Sequence, residues 1–127
     1  MRSSARQRLP SDKSARYFED ILDNIARIER FTAGLDFEAF LGNEQVAFAV
    51  FHALLIISEA ARRLGAEGEA LAPDQPWRAI RSLGNVLRHE YQVLDVQVIW
   101  RIVTTDLPAL KRASEEALTR LREGPAS

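Results

Sequence analysis

Apolar residues return along this chain at helical spacing, and the pattern breaks only where glycine and proline gather. Phe18, Ile21, Ile25 and Ile28 stand three or four positions apart with charges between them, which predicts an amphipathic helix over Ser14 to Phe31. Thr32 to Asn43 contains Gly34 and Gly42 and reads as a connector, pinned to the core by Phe37, Phe40 and Leu41. From Glu44 to Leu64, the residues Val46, Val50, Leu54, Ile57, Ala61 and Leu64 share one face, and Phe48, Phe51 and Leu55 widen it. A helix apolar on most sides is covered on several of them, so the second helix is central or lies at an interface. Gly65 to Pro76 has the glycines, prolines and Asp74 of a helix end and a loop. Pro76 suits the first turn of a third helix, which runs to about Tyr91 with Trp77, Ile80, Leu83 and Leu87 as its apolar stripe.

Val93 to Val103 is crowded with β-branched residues that also suit a strand. Val96, Ile99, Trp100 and Val103 nevertheless share one helical face, and a lone strand would have no partner, so a helix is expected. Asp106 is a candidate N-cap for a last helix with Pro108 in its first turn; Leu107, Leu110, Leu118 and Leu121 face inward, and Gly124 and Pro125 end it. About five helices joined by short connectors predict an all-α antiparallel helical bundle. It forms one domain over residues 14–122, between flexible ends at 1–13 and 123–127.

Composition narrows the picture. With 46% hydrophobic and 28% charged residues the chain is neither a disordered tail nor a membrane protein. The longest apolar run, Val46 to Ile57, is interrupted by His52 and falls short of the roughly 20 apolar residues of a spanning helix, so no membrane contact is expected. Met1 to Lys13 is polar and arginine-rich without the apolar stretch of a secretory leader, and a cytoplasmic protein is expected. The absence of cysteine removes disulfides, thiolate nucleophiles and thiolate-bound zinc. A net charge of −1 gives no general attraction to nucleic acid, so any RNA contact must come from a local patch. The cations are nearly all arginine, a residue suited to phosphate, although genomic base composition produces the same bias.

One segment carries candidate chemistry: Trp77 to Tyr91, WRAIRSLGNVLRHEY. On a helix Arg81, Asn85, Arg88 and His89 stand at i, i+4, i+7 and i+8 and form a polar stripe beside the apolar one. Neutral histidine can take a proton near neutral pH, and arginine stays charged and clamps phosphate oxygens. Together they suit phosphodiester cleavage without a metal or other cofactor: His89 would accept the proton of a ribose 2′-hydroxyl while Arg88 or Arg81 stabilises the charge growing on phosphorus. The same stripe also fits a merely solvated helix face.

The run WRAIRSLGNVLRHEY, followed by VLDVQVIWRIVTTDLPAL, resembles the C-terminal half of HepT-like proteins of the HEPN superfamily, whose signature is an arginine, four to six residues, then His-x-Tyr. The upstream SEAARRL, Ser58 to Leu64, is similar to that family too. The resemblance implies an all-α bundle that forms a homodimer, a metal-independent ribonuclease site at the dimer interface, and RNA as substrate. It also implies a toxin-antitoxin pair in which a minimal nucleotidyltransferase AMPylates the motif tyrosine, here Tyr91, and silences the toxin. His89 and Tyr91 match the motif. Where many members carry Arg-Asn, this chain has Gly84-Asn85. Arg81 starts roughly 12 Å from His89 along the axis, and Arg88, adjacent to His89, points about 100° away from it. The alternative is a non-catalytic module that docks a nucleotidyltransferase.

Gln45, His52 and Glu59 recur every seven residues on the second helix and form a second polar stripe, satisfied in the core or lining the same cleft or dimer seam. No metal-ligand spacing joins His52 and His89, so no metal site is expected. Trp77 and Trp100 fall on apolar stripes and read as core anchors.

Overall fold

The computed structural model of the protein describes residues 10–89 and 95–123, and among them finds helices and no strand. The elements are α1 (Pro10–Thr32), α2 (Phe37–Leu41), α3 (Glu44–Glu69), α4 (Trp77–His89), α5 (Val96–Arg101), a π-helical turn (Ile102–Asp106) and α6 (Leu107–Glu123). Since α5, the π turn and α6 follow one another without a break, the described chain makes five helical rods, an all-α bundle. α1 packs against α3 and α6, and α3 carries α4 on its other flank.

The apolar periodicity explains the core. Phe18, Ile21, Ile25 and Ile28 of α1 are at most 1% exposed, and they meet Val50, Leu54 and Ile57 of α3 in one cluster with Leu110, Ala117 and Leu118 of α6. Deleting one such side chain costs about 2–5 kcal/mol in transfer and cavity terms. Both tryptophans are anchors, as their stripes predict. Trp77 lies edge-on to Phe18, with ring centroids 6.2 Å apart, and donates its indole N–H to the Ala72 carbonyl. Trp100 packs on Phe37 and Phe40 of α2.

The connector Thr32 to Asn43 contains a short helix. Asp36 caps α2 by accepting from the Ala39 N–H, and Asn43 caps α3 by accepting from the Val46 N–H. Phe40 is buried as expected, whereas Leu41 is 52% exposed and does not pin the connector. α3 is longer than its apolar pattern: Gly65, at φ +74, interrupts it in the left-handed region of a helix end, and the chain resumes a further helical turn to Glu69. By length and composition α3 is apolar enough to cross a membrane, yet its Val50, Leu54, Ile57 and Ala61 are buried against neighbouring helices.

Asp106 does not cap a new helix. It lies in the π turn, and the cap at this end of the chain is Asp95, which accepts from the Gln97 N–H. The reason is Pro108: it has no N–H for the Thr104 carbonyl, and its ring obstructs a regular turn. The chain widens instead, with the Leu107 N–H reaching back to the Ile102 carbonyl, so α5 and α6 stay continuous.

Candidate functional site on helix α4

α4 is a basic helix in a slightly acidic chain, with Arg78, Arg81 and Arg88 and no carboxylate from Trp77 to His89. Its packed side carries Trp77, Gly84 and Leu87, all buried, with Ile80 and Leu83 partly so. Its open side carries Ser82, Asn85 and Val86, all exposed, and Arg88, also exposed, stands at the edge of the packed side one turn after Gly84. The helix ends at His89, so the motif histidine closes the last turn. Tyr91 lies outside the described residues.

Three contacts set this helix on its neighbour. The Ser58 hydroxyl of α3, 1% exposed, accepts from the Gly84 N–H at 2.9 Å and donates to the Arg81 carbonyl at 3.0 Å. A serine side chain is thus bonded directly to the α4 backbone, which brings the two helices into close contact. A Cβ on Gly84 would lie only 3.0 Å from that hydroxyl oxygen, tighter than ordinary contact. The glycine therefore has a packing reason. The third contact is ionic: Arg81 is paired with Glu69, in the turn that follows Gly65.

The site residues expected from sequence divide accordingly. Asn85 and Arg88 are free at the surface, and no ion pair engages Arg88 among the described residues. Arg81 stands on the same side of α4, but its charge is met by Glu69. On α3, Gln45 and His52 are exposed rather than satisfied in the core. Glu59 is partly exposed and binds Arg63 at 2.9 Å and Arg62 at 3.8 Å, and the hydrogen bond that Arg63 donates to it, followed by the one to Tyr17, raises the Arg63 guanidinium above its ordinary value. Beside α4 runs an apolar groove of about 480 Å³, walled by Leu54, Ile57, Ile80, Leu83, Val98 and Ile102. Among the described residues, Arg81, Asn85, Arg88, Gln45, His52 and Glu59 do not line it. Among the described residues no group of three His, Asp or Glu side chains is arranged to hold a metal.

Ser58 and Glu69 are the two functional neighbours that sequence reasoning did not single out. Ser58 could have been noticed as a polar residue beside Ile57 on a helix otherwise apolar there; Glu69, beyond the apolar pattern and beyond Gly65, gave no signal.

A polar helix face of this kind is not diagnostic alone, and comparison with known proteins adds to it. A family model described as ribonuclease HepT-like matches residues 21–117. A Thermococcus cleftensis protein named "Probable ribonuclease HepT" is 40% identical over 79% of this chain and 91% of its own length. A Methanocaldococcus jannaschii protein named "Putative RNase MJ1380" is 33% identical over 78% of this chain and 91% of its own. No solved structure is significantly similar. Since the family match runs from within α1 into α6 and takes in the whole of α4 with its Ser58 contact, the chain belongs to the HepT-like family of the HEPN superfamily.

Proposed function

We propose that this protein is a ribonuclease of the HepT type, cutting RNA with α4 and serving as the toxin of a toxin-antitoxin pair. The observation that carries the reading is the division of α4: one side is bonded to α3, and the other leaves Asn85 and Arg88 exposed next to the terminal His89. In the reaction His89 takes the proton of a ribose 2′-hydroxyl, the freed oxygen attacks phosphorus, and the phosphorus to 5′-oxygen bond breaks. The leaving oxygen takes a proton from the imidazolium or from water. Arg88 binds the phosphate oxygens as their charge grows, and Asn85 is a positioning donor.

The active unit is a homodimer. Phe48 is 48% exposed on α3, at helical spacing from the exposed Gln45 and His52, and this face meets its copy there. A minimal nucleotidyltransferase is the antitoxin and modifies Tyr91. The relatives' names support the ribonuclease part of this reading; the partner and the modification follow from the family resemblance.

Inducing the wild-type chain and His89→Ala without antitoxin, and following growth and RNA integrity, tests the proposal. Wild type is expected to arrest growth and degrade RNA, and His89→Ala to do neither. A second reading, a non-catalytic module that docks a nucleotidyltransferase, is favoured by Gly84 in the arginine position and by the pairing of Arg81 with Glu69. It becomes the better account if soluble wild-type protein leaves RNA intact.

A further inference from the structure

The space above Gly84 is not empty. A Cβ built there would lie 3.0 Å from the Ser58 oxygen, 3.5 Å from the Ser58 Cβ and 3.6 Å from Nη1 of Arg88. Side chains on a helix lean toward its N-terminus, so residue 88 lies over residue 84 one turn earlier. The Arg88 guanidinium thus lies within ordinary contact distance of where a side chain of residue 84 would begin, while Ser58 crowds the same space from the α3 side. Arg81, the other arginine on this side, already has Glu69 as its counter-ion. Arg88 has no ion-pair partner among the described residues and faces solvent.

We propose that Arg88 is the guanidinium that binds the scissile phosphate, in place of an arginine at position 84, and that Ser58 and Gly84 are the positioning pair that seats it. The assignment rests on the ribonuclease reading. Its physical basis is crowding, since the Ser58 oxygen must give by a few tenths of an ångström before residue 84 can carry a Cβ. With Ser58 bonded to the α4 backbone, a side chain at 84 meets an oxygen at 3.0 Å, so the cation comes from the next turn. With alanine at 58 the carbon at 3.5 Å and Nη1 of Arg88 at 3.6 Å remain, both ordinary contacts, so a Cβ at position 84 is no longer crowded. An arginine at either position presents the same planar, permanently charged donor fork on the same side of α4.

The test follows cleavage of an unmodified RNA and binding of a 2′-O-methyl RNA oligonucleotide, which cannot be cut, in four variants whose folding is checked by circular dichroism. Arg88→Ala is expected to lower cleavage about 100-fold, as loss of one donor to a developing oxyanion does. It should weaken probe binding about 10-fold, the equivalent of one charge-assisted hydrogen bond. Arg78→Ala, at an exposed position on the same helix, should stay within about two-fold in both assays. Gly84→Arg in the Arg88→Ala background should remain inactive, and adding Ser58→Ala should restore most of the lost rate. That rescue is measured well below the melting temperature, so a change in the folded fraction would not produce it. The proposal is overturned if Arg88→Ala cuts and binds like wild type, or if the folded triple variant gains nothing over the double. If wild type cuts no RNA, the ribonuclease reading fails, and the probe decides the rest. A binding loss in Arg88→Ala keeps Arg88 as the phosphate-binding residue, and no binding by wild type removes both proposals.

Discussion

Ser58 makes two hydrogen bonds to the backbone of a helix that is not its own, and few residues in this chain couple elements so directly. Buried hydrogen bonds contribute about 1 kcal/mol each, and a donor or acceptor left unpaired in the interior costs more than the bond itself was worth. Removing the hydroxyl, however, leaves the Gly84 N–H and the Arg81 carbonyl with their own helical ladder to fall back on. Ser58→Ala is therefore expected to lower stability by about 1–2 kcal/mol rather than to unfold the protein, as read from urea denaturation at neutral pH. Gly84→Ala should be destabilising in the wild type, although alanine favours helices over glycine by about 1 kcal/mol, and should turn stabilising once Ser58 is alanine. A double-mutant cycle on these two positions measures that reversal, and purely additive effects would mean that the close contact carries no energy. Arg81 shows the complementary lesson. Its position on the stripe is legible from spacing, but its carboxylate partner Glu69 lies twelve residues upstream, in the turn that follows the glycine interrupting α3.

Local chemistry sets most element boundaries. Asp36, Asn43 and Asp95 each accept a backbone N–H two or three residues on, and a short polar residue before an apolar run is a signal readable without coordinates. Gly65 adopts φ +74, where a side chain is strained, although nothing lies near its would-be Cβ. Gly65→Ala should then destabilise by about 1–3 kcal/mol through the backbone alone. Because the turn after Gly65 carries Glu69, the same change should loosen the Arg81 pair, seen as faster amide exchange in residues 66–69 before global unfolding. Unchanged stability and exchange would show that the kink is incidental. The π turn is the element least legible beforehand. Pro108 is tolerable near a helix start, and the sequence therefore predicts a break at Asp106. A proline lacking a hydrogen bond can be absorbed either by ending a helix or by widening it, and the choice depends on whether the flanking turns are held. Here Ile102 and Leu107 are both buried, which holds them.

For the molecule as a whole, the core closes around α3, with α1 on one flank and α4 on another, while large apolar side chains remain outside it. Phe48, Leu41 and Val86 are each about half exposed. If the α3 face of Gln45, Phe48 and His52 joins two copies, light scattering should give twice the chain mass of 14.3 kDa, and Phe48→Glu should return the single-chain mass without loss of helicity. A monomeric wild type would remove the dimer from the proposed mechanism. The sequence by itself determined the helical class, the core faces of α1, α3 and α6, the anchoring tryptophans and the family, because each rests on neighbours three or four positions apart or on a contiguous motif. Only the tertiary structure decided how Gly84 is packed, which arginine has a counter-ion and which has no ion-pair partner among the described residues. Those facts depend on Ser58 meeting Gly84 across 26 residues and Glu69 meeting Arg81 across 12, and periodicity along one helix carries no information about what a second helix places against it.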